Sequence, residues 1–255
     1  MGLIGDRTLA IATWVAILGT LAVNTLSNFF PIDGNTVADL ANGPLGGVLI
    51  TPANYAFIIW GVIYVGLIAY AWYQSRRKYR SQLLIQRINY CLITACVAQM
   101  AWIYLFTLQL YWLSVVAMVI ILSALIAAYS ELEEGQHQVS SRRKRWVNGP
   151  ISIYLAWISV ATVVNVASAL YASGLPELGL SGAVWTAIMI VVANLIAVLA
   201  LVQRGDLPFT LVFIWANVAI AQRHHTIPTI WVPALVMSIA LVGLLAYRRY
   251  PKKSW

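Results

Sequence analysis

Long apolar runs recur along this chain roughly every 25–30 residues, and each is close to the roughly 20 residues needed to cross a bilayer core. Short polar or basic stretches separate them. The pattern predicts eight membrane-spanning helices, at approximately 8–30, 54–74, 83–106, 109–130, 151–172, 183–202, 208–222 and 229–247. The seventh is the shortest; its fifteen residues would rise only about 22 Å. A re-entrant segment there would move the RRYPKK tail to the other side of the membrane and degrade the charge pattern, so eight crossings are expected. The first run is too long and too bulky for a signal peptide, with Trp14 inside it and no clear small-residue cleavage site before Asn28.

Charge sharpens this picture. With the N-terminus in the cytoplasm, fifteen of the sixteen Lys and Arg residues fall inside, and Arg223 alone falls outside. The inside set comprises Arg7, the Arg76–Arg87 group, Arg142 to Arg145, Arg204 and the tail. Retention of positive charge on the cytoplasmic face is the topology signal itself. Both termini are therefore expected inside, in a bacterial cytoplasmic membrane or an organelle membrane of the same polarity. The net charge of +8 needs no nucleic-acid partner, since basic runs beside spans hold orientation and touch anionic lipid headgroups. Hydrophobic residues make up 61% of the chain and charged ones 9%, with mean hydropathy +0.80. An all-α integral membrane protein is the class implied. Cys91 and Cys96 share the third span at a spacing that faces them apart, so no disulfide between them is expected.

The eight acids, Asp6, Asp33, Asp39, Glu131, Glu133, Glu134, Glu177 and Asp206, all sit at span ends or in connections. Ion-coupled pumps and carriers carry charge at membrane depth, so this distribution weighs against them while leaving passive flux open. The groups at depth are neutral: Asn24, Asn28, Gln99, Ser159, Thr162, Asn165, Asn194 and Asn217. Such amides either hydrogen-bond between helices, at about 0.6 kcal/mol each on average, or touch a ligand. His137, His224 and His225 lie in connections, and no Cys or acid joins the adjacent pair His224–His225 to complete a metal site. No metal site and no catalytic constellation of nucleophile with base, or of paired carboxylates, is expected.

Eleven Trp and thirteen Tyr exceed what interfacial belts require. Trp72, Tyr73, Tyr247 and Trp255 suit a belt. Others fall mid-span. Phe57, Trp60 and Tyr64 form a stripe on the second helix, and Trp102 follows Gln99 by one turn on the third. On the fifth, Tyr154 and Trp157 continue to Ala161, Asn165 and Ser168. Small residues there permit close approach or leave a hollow. The stripes either pack between helices or stack on a flat aromatic ligand, with an amide to orient it.

Two of these stripes resemble a known family. The second helix reads TPANYAFIIWGVIYVGLIAYAWYQ, with Pro52, Phe57, Trp60, Tyr64 and Gly66; the fifth reads PISIYLAWISVATVVN, with Pro150, Tyr154, Trp157, Ala161 and Asn165. Together they are similar to the TspO/MBR family, the tryptophan-rich sensory proteins related to the mitochondrial translocator protein. QMAWIYLF of the third helix is a looser match. The resemblance covers roughly residues 8–172 and implies a five-helix bundle, with residues 173–255 as a three-helix extension within one membrane domain. It also implies binding of porphyrins or other planar hydrophobic ligands in a pocket under the 31–53 connection. Trp60, Tyr64, Trp102, Gln99, Tyr154, Trp157, Ala161 and Asn165 are the candidate ligand-binding residues. The chain departs from the family in several places. The Phe57–Trp60 gap is one residue shorter, Ile153 stands where the family has Pro, Gln99 replaces an Asn, and the lid lacks Trp.

The function expected is a membrane receptor or carrier for a planar hydrophobic ligand of the tetrapyrrole type, with no obligatory cofactor. Weak porphyrin breakdown is conceivable from the resemblance, needing only bound pigment and nearby Trp. The alternatives are a pigment-associated or structural subunit, with His224 or His225 as axial ligand, and a passive solute transporter. Helices six to eight would close the bundle, form a homo-oligomer interface or recruit a membrane partner.

Overall fold

The computed structural model describes residues 5–132, 139–175 and 179–249. Glu133, Glu134, His137, Glu177, Lys252, Lys253 and Trp255 lie outside the described residues. The described residues are helical with no strand. The long helices are α1 (Asp6–Phe29), α2 (Ile59–Gln74), α3 (Leu83–Thr107), α4 (Tyr111–Glu131), α5 (Gly149–Ala172), α6 (Gly182–Arg204), α7 (Leu207–Arg223) and α8 (Pro228–Arg249). A 3₁₀ turn over Asn54–Ile58 leads into α2, and a π turn over Lys144–Asn148 leads into α5.

Contacts between helix ends show how the chain alternates. At one end Arg80 pairs with Asp6 (3.3 Å) and Arg87 with Glu131 (3.2 Å). Asp206 accepts from the Tyr129 and Ser152 hydroxyls (2.7 and 2.6 Å), and the Arg204 guanidinium donates to the Tyr129 carbonyl (2.9 Å). These contacts join the start of α1, the α2–α3 turn, the end of α4, the start of α5 and the α6–α7 turn. At the other end the Trp112 indole donates to Ser173 (2.9 Å), joining the start of α4 to the end of α5. Among the described residues every Lys and Arg but Arg223 therefore lies at the first, basic end.

Seven of the helices, α2 counted with its 3₁₀ entry as Asn54–Gln74, are long and apolar enough to cross a membrane; α7, at 17 residues, is shorter. It still runs from end to end. Asp206, which precedes it, is fixed at the basic end, while Arg223, which closes it, is fixed at the opposite end. Its length has a physical reason. Phe209, Thr210, Val212, Phe213, Ala216, Asn217, Ala219, Ile220 and Ala221 are all buried against other helices, while Leu211, Trp215 and Val218 are exposed, so α7 meets lipid along one narrow face. The outer surface is apolar instead, with residues such as Val15, Val65, Val192, Val236 and Ile239 more than half exposed. In water such a surface would aggregate; here it faces hydrocarbon. The chain is an integral, multi-pass membrane protein.

Helices are joined at depth by neutral polar groups. Asn194 and Asn217 exchange amide hydrogen bonds between α6 and α7 (3.1 and 2.8 Å). Tyr70 donates to Asn89, Asn89 to Gln74, and Gln74 to the Ala10 carbonyl, tying α1, α2 and α3. Gly66 lets α2 approach α5 closely, for a Cβ there would sit 3.2 Å from Pro150. Cys91 and Cys96 are both free thiols.

Candidate ligand-binding site

The connection between α1 and α2 folds back over the bundle at the end opposite the basic one. Its short helix, Val37–Asn42, is held by a capping box: Thr36 Oγ1 accepts from the Asp39 amide (3.1 Å), and Asp39 Oδ2 accepts from the Thr36 amide (2.9 Å). These bonds to Thr36 lower the pKa of the Asp39 carboxyl. Leu40, Leu45, Val48 and Ile50 of the connection are buried.

Arg223, the exception in the charge pattern, is what clamps this lid. Its guanidinium donates to Asn42 Oδ1 (2.9 Å) and to the carbonyls of Ala41 (3.2 Å) and Pro52 (3.3 Å). Two more bonds come from the same helix. The Ala53 amide donates to the Ala219 carbonyl (3.1 Å), and the Trp215 indole donates to the Ala56 carbonyl (3.1 Å). A bond from a charged donor contributes more than a neutral one, so α7 braces both the lid and the 3₁₀ entry to α2.

Under the lid lies a cavity of about 50 Å³. Its walls combine Val37, Ala41, Thr51 and Pro52 of the lid with Phe57, Trp60, Trp102 and Phe106, and with Trp157, Ala161 and Asn165 of α5. Three indoles thus face one hollow from three helices. Trp60 is central: its ring lies 6.5 Å from Trp157 at 85°, and 5.9 Å from Tyr64 nearly in parallel. Phe57 meets Trp157 edge-on at 6.1 Å. The 3₁₀ winding before α2 lines up residues three apart, which helps bring Phe57 to the same hollow as Trp60 across the shortened gap.

The polar groups around the cavity are mostly committed. The Trp102 indole donates to Asn165 Oδ1 (2.7 Å), and Asn165 Nδ2 donates to Ser114 Oγ (3.0 Å). Trp157 differs. It is 2% exposed, and its indole N–H has no hydrogen-bond partner among the described residues. A buried unpaired donor carries a desolvation penalty of about 1–3 kcal/mol, which an acceptor brought into the cavity would relieve.

Of the eight residues expected from the sequence, Trp60, Trp102, Trp157, Ala161 and Asn165 line the cavity. Tyr64, Gln99 and Tyr154 do not. They form a buried chain behind Trp60, in which the Asn24 and Gln99 amides donate to the Tyr64 hydroxyl (2.9 and 3.0 Å) and the Tyr154 hydroxyl donates to Gln99 Oε1. Val37, Ala41 and Thr51 of the lid and Phe106 of α3 were not singled out as ligand contacts; small or apolar residues in a lid give no periodic signal, and Phe106 reads as one more apolar residue of its span. The pair His224–His225 does not converge. His224 is buried and His225 exposed, and the described residues hold no cluster of three metal-ligating side chains.

The TSPO-like protein family matches residues 10–247. The chain belongs to that family. The kinship expected from the second and fifth helices holds, and the match runs past residue 172 through α6, α7 and α8. Membership points to a ligand-binding or transport role in the membrane. This TSPO-like chain has no significant match among curated proteins or solved structures.

Proposed function

We propose that the chain is a membrane receptor or carrier that takes a planar hydrophobic ligand, of the porphyrin or tetrapyrrole class, into the cavity under the lid. The observation that carries this reading is the convergence of Trp60, Trp102 and Trp157 on one hollow, with an unpaired buried N–H on Trp157. Indole faces stack on a flat π-system, and a neutral donor fixes the position of a polar substituent. Ala161 leaves room beside the rings, while Asn165 holds Trp102 in place. Tyr64, Gln99 and Tyr154 act from behind as positioning residues for Trp60.

A ligand of this size needs roughly 300–1,000 Å³, against about 50 Å³ under the lid. Entry therefore requires the lid to lift, and the Arg223 clamp sets how readily it does so. Receptor and carrier need the same pocket; flux of the ligand across reconstituted vesicles separates them.

The test is a titration of the detergent-purified chain with protoporphyrin IX, followed by tryptophan fluorescence, in the wild type, Trp60→Ala and Trp157→Phe. Saturable quenching is expected, weakened at least about tenfold (about 1.4 kcal/mol) in Trp60→Ala. Trp157→Phe, which keeps an aromatic ring but removes the donor, should lose about fivefold, the worth of about one neutral hydrogen bond. Quenching that never saturates, or that both folded variants retain, would leave family membership without this ligand. Pigment consumed over many turnovers would instead point to an enzyme.

A further inference from the structure

A second hollow lies at the basic end, far from the lid. It is a half-open groove of about 540 Å³ between α1, α2 and the entry to α5. Trp14 forms one wall and Val65 and Trp72 of α2 another, while Trp146, Arg76 and Arg142 close the end beyond the helices. From Val65 to Arg76 the groove follows about 16 Å of helix rise, passing from wholly apolar to doubly cationic. None of the residues lining it is acidic.

We propose that this groove binds an anionic phospholipid from the bilayer leaflet at the basic end. Its phosphate would lie between Arg76 and Arg142, and the upper part of an acyl chain along Val65 and Trp72. Four observations support this occupant. Val65 and Trp72 are 69% and 65% exposed on a surface that faces hydrocarbon, so the groove opens to lipid. Three indoles stand where interfacial tryptophans meet headgroups and glycerol. The two guanidiniums match a phosphate in shape and charge, whereas the ammonium of a zwitterionic lipid would find no counter-charge in the lining. Finally, Arg143, next to Arg142, has its guanidinium Nε and Nη2 buried without a hydrogen-bond partner among the described residues, and its charge, like that of Arg142, acts on Tyr73 of the lining. The Arg142 guanidinium faces the Tyr79 hydroxyl, whose pKa it lowers. Basic pockets between membrane helices are suited to anionic headgroups.

The test uses native mass spectrometry of the full chain in detergent, with phosphatidylglycerol and phosphatidylcholine of identical acyl chains. Phosphatidylglycerol should bind about tenfold tighter or more, a difference of about 1.4 kcal/mol. The double variant Arg76→Gln/Arg142→Gln should bring the two lipids within about twofold of each other. Arg87→Gln, at the same end but outside the groove, should keep the preference. Trp72→Ala should weaken both lipids alike. Equal binding of the two lipids by the wild type would overturn the proposal, as would a preference that survives in the double variant or a Trp72→Ala chain that binds both lipids unchanged. If the double variant does not stay folded, Arg76→Gln alone should reduce the preference about threefold, as expected for one of two phosphate partners.

Discussion

The hollow under the lid and the groove at the basic end are each walled by three tryptophans, yet they are built on different plans. Under the lid, Trp60, Trp102 and Trp157 come from three helices and face a small space of about 50 Å³. At the basic end, Trp14, Trp72 and Trp146 border an open groove of about 540 Å³ that ends in arginines. In the first, two of the indoles are core and Trp60 is half-buried: Trp157 is 2% exposed, and the Trp102 N–H is spent on Asn165. In the second, they are surface, with Trp72 65% exposed. Tryptophan count alone therefore says little about ligand binding. Burial, access and the charge at the rim decide what each hollow can hold.

The sharpest way to break this contrast is to remove one indole from each. Trp157→Ala should destabilise the chain by about 3–5 kcal/mol, the range for deleting a buried aromatic. Trp72→Ala should stay within about 0.5 kcal/mol, as exposed substitutions do. Unfolding of both variants in mixed detergent micelles compares them directly; similar losses would mean the two sites are not built differently. The lid supplies the next test. Arg223→Ala removes a charged donor from three acceptors. It should cost about 2 kcal/mol, given about 1.5–3 for hydrogen bonds to charged groups. Hydrogen exchange should then speed up across residues 37–53 while the groove at the basic end stays as protected as before.

Much of this was legible in the sequence because lipid imposes long apolar runs and sorts charge. The all-helical class, the helix positions and the isolation of Arg223 follow from those two constraints, and five of eight candidate residues do line the cavity. What was hidden has definite causes. Tyr64, Gln99 and Tyr154 lie on the same stripes as the lining residues, and periodicity cannot tell whether a polar tip meets a ligand or another side chain. Only the packing reveals that the three bind one another. The brace from α7 to the lid was equally out of reach, since Arg223 and Asn42 are far apart in the chain and neither belongs to a motif. The groove was hidden because Trp72 reads as an interfacial belt residue, Trp14 as part of the first span, and the two arginines as part of the topology signal.

A smaller effect separates contact from support within the lid-end site. Tyr64→Phe deletes the hydroxyl that accepts from both Asn24 and Gln99. Two buried amides then lose a partner, and stability should fall by about 1–2 kcal/mol, within the range for unsatisfied buried donors. Protoporphyrin affinity should change by less than about twofold, because the ring that stacks on Trp60 remains. A large loss of affinity with unchanged stability would instead place Tyr64 in direct contact with the ligand.

The smallest effect is a pH dependence confined to the lid end. His224 follows directly on Arg223 and is buried, and its Nε2 has no hydrogen-bond partner among the described residues. Burial first, and then the Arg223 charge, push its pKa below the ordinary 6.5. The sign follows from proton counting. Above 6.5 the ring is neutral in both folded and unfolded chains, and it has no effect on their balance. Below 6.5 the unfolded chain takes up a proton that the folded chain refuses, so stability falls, and it goes on falling until the folded-state pKa is passed. Acid should thus place a second positive charge beside the clamp and loosen the lid, whereas the groove, whose lining contains no histidine, has no matching response. Thermal unfolding between pH 7.5 and 5 should show a decrement in the wild type that shrinks in His224→Asn, and lid exchange should accelerate over the same interval. A decrement that His224→Asn retains in full would assign the acid response to other groups and leave the clamp insensitive to pH.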